Sequence, residues 1–309
     1  MLFVVLTITS LFIGVSKGVT LKALLQGNKE AWLLFRYSRW PRTMAIILSA
    51  SALSVGGLIM QSIGRNKFIS PSTVGTTDSA MLGVLLSYLL IGSKNVYSKF
   101  LFAFVFAFLS TFIFMKFLSK LKHRDIAYIP LLGIMYGSVI AAFTTFIAMQ
   151  TDSLDIINQL MHGQFTSITR SNYLMLLIVI VPLVLSFIFA TRFSIVSAGE
   201  DFATNLGVKY NRVVMLGLLL VSLISVTTFL TVGPLPFIGL IIPNLISKFY
   251  GDNVKNSILD VVLFGAVFVL INDIIARVII YPSEISVSLV MGVIGAVIFL
   301  TMILKGVRK

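Results

Sequence analysis

The chain has 309 residues, of which 58% are hydrophobic and only 11% are charged, with 24 Lys and Arg against 11 Asp and Glu. Soluble globular chains are about 45–50% apolar and about 25% charged, so this composition excludes an ordinary soluble enzyme, a disordered chain and a coiled coil. The absence of cysteine excludes disulfides, thiolate metal sites and iron–sulfur clusters. The two histidines, His123 and His162, are far apart in sequence, which disfavours a His-rich metal site.

Ten apolar blocks are separated by polar or Gly- and Pro-containing segments. A helix needs roughly 20 apolar residues to cross the bilayer core, so the chain is long enough for about ten spans. The predicted spans are, in chain order, Met1–Val15, Thr43–Ile63, Ser72–Ile91, Phe100–Leu118, Ile126–Met149, Tyr173–Ala190, Val213–Val232, Phe237–Phe249, Ile258–Ile280 and Ile285–Leu304. These blocks predict an all-α, polytopic membrane protein with a single transmembrane domain over residues 1–309. The first block has no basic leading region and no small-residue cleavage site, so we interpret it as a span and not as a cleaved signal peptide.

The distribution of Lys and Arg predicts the orientation. Ten spans place both termini on one side of the membrane. With the termini in the cytoplasm, 14 of the 24 basic residues lie inside, as the positive-inside rule requires. Six of the other ten lie in the single stretch Ser16–Arg42. The bias therefore predicts cytoplasmic termini, and the outer basic stretch is an exception that needs its own explanation.

Two pairs of charged residues stand at the predicted outer ends of spans. Arg39 and Arg42 are three residues apart and share one helix face at the start of the second span. They either anchor the helix among lipid headgroups or form a docking site for an acidic partner. Asp273 and Arg277 are four residues apart in the ninth span, where ionisable residues face protein or water. This pair is either an internal ion pair that only tolerates burial, or one that places Arg277 at the outer mouth.

A short cytoplasmic helix is predicted over Gly199–Val208, with acids in its first turn and Gly207 at its end. Phe202 and Leu206 are four residues apart and give this helix one apolar face. It is either a surface helix resting on the membrane or a lever pushed by a cytoplasmic partner. The chain contains no G-x-x-x-x-G-K-[ST] phosphate loop, so we do not expect it to hydrolyse ATP.

Taken in order, these motifs resemble the FecCD-type permeases, the membrane subunits of ABC importers for ferric siderophores, haem and cobalamin. The resemblance covers nearly the whole chain. The matching segments are Arg39-Trp-Pro-Arg42-Thr, Gly56 to Gly75 with Gln61, Asn66 and Pro71, Leu206-Gly207-Val208, Gly233 to Asn244, Asp273-Ile-Ile-Ala-Arg277, and Glu284 to Gly295. Asn244 and Ser286 replace the histidine and proline usual in the family. The segment from Asn66 to Asp78 is similar to the subgroup for catecholate siderophores such as petrobactin.

The resemblance implies a type II ABC importer permease fold in a bacterial cytoplasmic membrane. It implies a non-catalytic subunit that translocates ferric siderophore, with ATP hydrolysed elsewhere. The implied partners are a second permease subunit (a heterodimer, or a homodimer), two cytoplasmic ATPase subunits, an extracytoplasmic siderophore-binding protein and the ferric siderophore itself. No cofactor, resident metal or nucleic acid is expected.

The family also implies roles for single residues. Arg39, Arg42 and Arg277 correspond to arginines that pair with glutamates on the binding protein. The coupling helix that contacts the ATPase corresponds to Glu200, Asp201, Phe202, Leu206, Gly207 and Val208. The cytoplasmic gate corresponds to Asp125, Ile126, Ala127 and Tyr128. The cobalamin permease has small hydroxyl residues where Ile126 and Ala127 stand here.

The sequence is also compatible with other functions. The same type of importer could carry haem or cobalamin. A secondary transporter driven by an ion gradient would need intramembrane carboxylates, for which Asp78, Asp260 and Asp273 are the candidates. Asp273 already has a predicted partner in Arg277. An intramembrane enzyme would need a paired nucleophile and base, or metal ligands, and the two histidines fall on opposite faces of the predicted topology.

Overall fold

The computed structural model describes residues 1–14, 19–92, 95–120, 128–166, 168, 170–251 and 253–306, and the regular elements in these ranges are helical. The α-helices are α1 (Leu2–Phe12), α2 (Leu21–Leu25), α3 (Lys29–Leu34), α4 (Trp40–Gly64), α5 (Thr76–Ile91), α6 (Val96–Lys120), α7 (Tyr128–Gln150), α8 (Leu154–Met161), α9 (Arg170–Leu176), α10 (Ile180–Ser197), α11 (Glu200–Asn205), α12 (Tyr210–Val232), α13 (Ile238–Tyr250), α14 (Val254–Val278) and α15 (Val287–Gly306). Shorter helical turns are a π turn at Phe35–Arg39 and 3₁₀ turns at Pro71–Thr73 and Leu177–Val179.

Each of the ten predicted apolar blocks contains helix, which confirms the all-α membrane fold. Within the described ranges, six helical stretches are long and apolar enough to cross a membrane: Lys29–Gly64, Val96–Lys120, Tyr128–Gln150, Tyr173–Ser197, Tyr210–Val232 and Val254–Val278. The other four blocks form the helices α1, α5, α13 and α15, whose apolar stretches are shorter.

Helix α4 is the centre of the packing. It contacts α10, α12, α13 and α14, and most of its side chains are buried. Small residues allow this close approach: a Cβ added to Gly265 of α14 would lie 2.1 Å from Ser54 Oγ of α4. In lipid there is no hydrophobic driving force between helices, so close packing through small residues is a main source of helix association.

Two helices begin beside the middle of a neighbouring helix. Gly75 starts α5 with a φ of +73° and packs against Gly137 of α7. Gly239, in the first turn of α13, packs against Gly57 of α4. Irregular backbone therefore enters the interior of the helix bundle before each of these helices. Such backbone is tolerated at membrane depth where protein encloses it or where it lines a cavity.

The connection between α8 and α9 is held between two other loops. The carbonyl oxygen of Gly163 accepts a hydrogen bond from Ser286 Oγ at 2.7 Å, and Gln164 N donates to Val232 O at 2.9 Å. A Cβ on Gly163 would lie 2.1 Å from the Pro234 carbonyl oxygen, so the backbones approach as only glycine permits. This connection thus ties the loop before α13 to the loop before α15.

Helix boundaries differ from the predicted spans where polar residues interrupt an apolar pattern. The sixth span is predicted to end at Ala190, but α10 continues to Ser197 because Phe193 and its neighbours on one face remain buried. The polar stretch before the second span contains α2 and α3. Their first turns are capped by the side chains of Thr20 and Asn28, which accept hydrogen bonds from backbone N–H groups.

We expect Gly57→Ala to destabilise the protein by about 1–3 kcal/mol, because overpacking a tight contact has a cost of this size. A Cβ at Gly57 would lie 1.8 Å from the Gly239 carbonyl oxygen and would push α4 and α13 apart. Gly292→Ala in α15 is the matched control, because its Cβ would meet no atom within 4 Å. Thermal unfolding in detergent measures both variants, and equal melting temperatures would contradict the close contact.

Candidate functional site

The carboxylate of Asp273 lies at the centre of a buried cluster of charges. Its Oδ1 accepts a hydrogen bond from Arg42 Nη2 at 2.7 Å, and its Oδ2 accepts one from Arg277 Nη2. Arg42 lies in the first turn of α4, whereas Asp273 and Arg277 lie in the last turns of α14. One carboxylate therefore joins two helices that are distant in sequence.

Glu284 is the second acid of this cluster. Its Oε2 accepts hydrogen bonds from Arg42 Nη1 at 2.7 Å and from Thr166 Oγ1 at 2.9 Å. Arg42 thus uses both terminal nitrogens on two different carboxylates, which the planar fork of a guanidinium permits and a lysine would not. Glu284 belongs to the connection between α14 and α15, and Thr166 belongs to the connection between α8 and α9.

The other guanidinium donors reach the end of α1. Arg277 Nη1 donates to the carbonyl oxygens of Ser10 at 2.9 Å and Ile13 at 2.8 Å. Arg39 Nη1 donates to the same Ile13 carbonyl at 2.6 Å. Carbonyls at the C-terminus of a helix have no intrahelical partner and carry the negative end of the helix dipole. The two arginines therefore hold α1 against α4 and α14.

All three arginines are buried in this structure. Arg39 and Arg42 are 7% exposed, and Arg277 is 2% exposed. The structure thus brings the three predicted docking arginines together, with the guanidinium groups directed at acceptors within the chain. The Asp273–Arg277 ion pair is present, and both of its side chains are at most 1% exposed. Charges buried to this degree persist only when they are paired and hydrogen-bonded.

The protonation of Glu284 follows from its neighbours. Burial by itself would raise the pKa of this carboxyl, but the charges of Arg42 and Arg277 and the hydrogen bonds from Arg42 and Thr166 together lower the pKa below its ordinary value. A carboxyl whose pKa is lowered by folding stabilises the fold above its unfolded pKa, and this stability is lost as the pH falls through the folded pKa. Glu284 therefore stays ionised at neutral and mildly acidic pH.

The predicted coupling helix is a separate site formed by α11 and the residues after it. Gly199 begins the segment with a φ of +120°, and Gly207 ends it with a φ of +75°. Phe202 and Leu206 are 52% and 56% exposed, whereas Ala203 between them is buried. The acids of the first turn and the residue that follows the glycine complete the segment: Glu200, Asp201 and Val208. The two large apolar side chains therefore face away from the bundle, and the role of this segment in coupling stays a prediction.

The predicted gate is described only at its end. Asp125, Ile126 and Ala127 lie outside the described residues. Tyr128 begins α7 and is 61% exposed. Within the described ranges, no three His, Cys, Asp or Glu side chains lie close enough together to hold a metal ion.

Sequence reasoning did not assign Glu284, Thr166 or the α1 carbonyls to the charge cluster. The signal for Glu284 was the charge balance, because three arginines and one aspartate leave an excess of positive charge that a second acid reduces. No sequence signal identifies the Ser10 and Ile13 carbonyls, because any residue at the end of α1 would present the same groups.

We expect Asp273→Asn to destabilise the protein by about 3–5 kcal/mol, because it leaves Arg42 and Arg277 buried without their shared carboxylate. Asp155→Asn on the exposed surface of α8 is the matched control, and its effect should stay within about 0.5 kcal/mol. Unfolding in detergent measures both variants. If Asp273→Asn were as stable as the control, the charge cluster would not be what holds these helices together.

Comparison with known proteins places this fold and these motifs among transport proteins. The family model of the "FecCD transport family" matches residues 2–305. The petrobactin import system permease protein YclN of Bacillus subtilis (strain 168) is 45% identical over 304 residues, which cover 98% of this chain and 96% of the relative. The ferric-anguibactin transport system permease protein FatD of Vibrio anguillarum is 37% identical over 306 residues, which cover 99% and 97%.

A solved structure described as an inward-facing conformation of a putative metal-chelate type ABC transporter has the same fold. It aligns with a TM-score of 0.80 at 24% identity and covers 98% of this chain and 96% of its own. Both the helical architecture and the motif order thus agree with the resemblance found in the sequence. The chain therefore belongs to the FecCD transport family.

Proposed function

We propose that this chain is the permease subunit of an ABC importer that moves a ferric siderophore across the bacterial cytoplasmic membrane. The observation that carries this proposal is the similarity over nearly the full length to permeases for petrobactin and ferric anguibactin. As a multi-pass member of a permease family, the chain is a transport component and not an enzyme. ATP hydrolysis then falls to a separate subunit, which the lack of a phosphate loop in the sequence supports.

The proposed orientation has both termini in the cytoplasm. The excess of Lys and Arg on the loops of that side supports this orientation. It places the charge cluster around Asp273 at the outer surface and α11 at the cytoplasmic surface.

A second permease subunit, of the same or a homologous chain, would complete the transport path. Among the long apolar helices that the structure describes, α7 is the least buried. It exposes Met135, Val139 and Phe146. Its small residues Gly133 and Gly137 are already used to pack against the backbone before α5. The exposed face of α7 is thus free to contact a partner.

In the proposed docking, an acidic side chain of the binding protein replaces one of the internal acceptors of the charge cluster. Arg39, Arg42 and Arg277 already have internal acceptors, so an acidic side chain from outside must replace one of them. Glu284 is the acceptor best placed to yield, because its side chain is 12% exposed whereas Asp273 is fully buried. In this proposal, a carboxylate of the binding protein takes the place of Glu284 on Arg42.

We expect a strain that lacks only this chain to lose uptake of radiolabelled iron from a catecholate siderophore and to regain it with the wild-type gene. Leu206→Asp should not restore uptake, because it removes one of the two exposed apolar side chains that we propose contact the ATPase. The ATPase activity of the purified assembly should persist without transport in this variant. Leu206→Met is the matched control and should restore uptake.

The same strain distinguishes other cargoes. Loss of haem or cobalamin uptake alone would be consistent with the family but would contradict a siderophore as the cargo. No loss of any of these substrates would contradict the proposed function.

We expect Glu284→Gln to increase the affinity of the binding protein severalfold, because it removes the internal competitor for Arg42. Glu30→Gln in α3 removes one exposed acid and is the matched control. Titration of the binding protein against the importer in nanodiscs measures both variants. Unchanged or weaker binding by Glu284→Gln, in a protein that remains folded, would contradict docking by exchange.

A further inference from the structure

A cavity of about 200 Å³ lies where the helices α5 and α13 begin. Its lining comes from α4, α5, α12 and α13 and from the irregular segments that precede α5 and α13. The polar lining includes Ser72, Asp78 and Ser225, and the apolar lining includes Leu53, Phe229 and Pro236. At about 30 Å³ per molecule, the space corresponds to roughly six or seven waters, which is too small for a whole ferric siderophore.

Asp78 is the acid in this lining. It lies in the first turn of α5, where the helix dipole favours a negative charge. In the described part of the chain, the ion pairs join other residues, and no Lys or Arg nitrogen lies within 4 Å of the Asp78 carboxylate. A Cβ added to Gly137 of α7 would come within 2.6 Å of Asp78 Oδ2. The glycine therefore leaves room for a carboxylate that has no cationic side-chain partner within the described ranges.

Ser225 is a second feature of this cavity that a bound ligand would explain. It is 4% exposed, and among the described residues its Oγ has no hydrogen-bond partner. Ser and Thr in helices commonly donate to the carbonyl four residues earlier, as Thr228 on the next turn does at 2.7 Å. A buried hydroxyl without a partner is destabilising, because the loss of its hydrogen bonds to water is not compensated. A ligand that donates to Ser225 Oγ would remove this cost.

The chemistry of the lining discriminates among ligands. An anion would meet the Asp78 carboxylate at close range. A bare calcium ion needs six to eight oxygen ligands, and much of this wall consists of proline, leucine and phenylalanine side chains. An alkylammonium group carries three N–H donors and one positive charge on an apolar stem, like the end of a lysine side chain. Its donors match Asp78 and Ser225, and its stem matches Leu53 and Phe229.

We propose that this cavity binds a primary alkylammonium group. The group is carried either by an arm of the transported chelate, which rests on the proposed function, or by a free amine. In both cases the charge is held by Asp78 and oriented by Ser225. The cavity then selects for cationic ligands.

The binding test uses the assembled importer in nanodiscs and n-butylammonium as the probe, with n-butanol as the uncharged control. We expect saturable binding of n-butylammonium by the wild type. Asp78→Asn should weaken it at least tenfold, and Ser225→Ala should weaken it by a smaller factor. Asp155→Asn is the matched control and should bind as the wild type does. Equal binding by Asp78→Asn and the wild type, or equal binding of the alcohol, overturns the proposal.

Transport identifies the source of the ammonium group. A ferric catecholate chelate that carries a free primary amine is compared with the same chelate after acetylation of that amine. If the chelate carries the ligand, Asp78→Asn slows uptake of the amine form alone. If a free amine is the ligand, Asp78→Asn changes uptake of both forms equally. If the wild type transports neither chelate, the proposed function is contradicted. The binding of n-butylammonium, measured by calorimetry, still decides whether the cavity binds the cation.

Discussion

The two arginines that share the carboxylate of Asp273 impose the constraint on which the rest of the structure depends. Each ion would be costly to bury alone, and their mutual attraction compensates only when the geometry and the hydrogen bonds are complete. Arg42 reaches Asp273 only if α4 and α14 are in register, and Arg277 reaches the α1 carbonyls only if α1 lies beside them. A single buried acid therefore fixes the relative positions of three helices.

The centre of the bundle uses a different kind of contact. At Gly57 and Gly239 the helices α4 and α13 are held by the close approach of their backbones. This contact lets α13 begin in the interior, and the cavity that contains Asp78 lies beside the first turn of α13. The charged end of α4 fixes the register, whereas its glycine-rich middle admits the backbone of α13. These two roles require different residue types along one helix.

Much of the fold could be predicted from the sequence, because the length and apolarity of each block suffice to identify a membrane helix. The Asp273–Arg277 contact also followed from spacing, since residues four apart share a helix face. The contact between Arg42 and Asp273 did not, because 231 residues separate the two and neither shows which partner it meets. The interior start of α5 was missed as well. Glycine and hydroxyl residues such as those near Gly75 read the same in a surface turn and in a buried one.

The hydrogen bonds and close contacts of the α8–α9 connection have a consequence for how the loops around it move. The Gly163 carbonyl accepts a hydrogen bond from Ser286, and the Gly163 backbone packs against Pro234. Thr166 and Arg42 both donate hydrogen bonds to the carboxylate of Glu284. Three loops that are far apart in sequence are therefore fastened to one another and to the buried charges. A displacement of Glu284 is therefore passed through Thr166 and Gly163 to the irregular backbone before α13. This route runs through contacts between loops and does not follow any single helix.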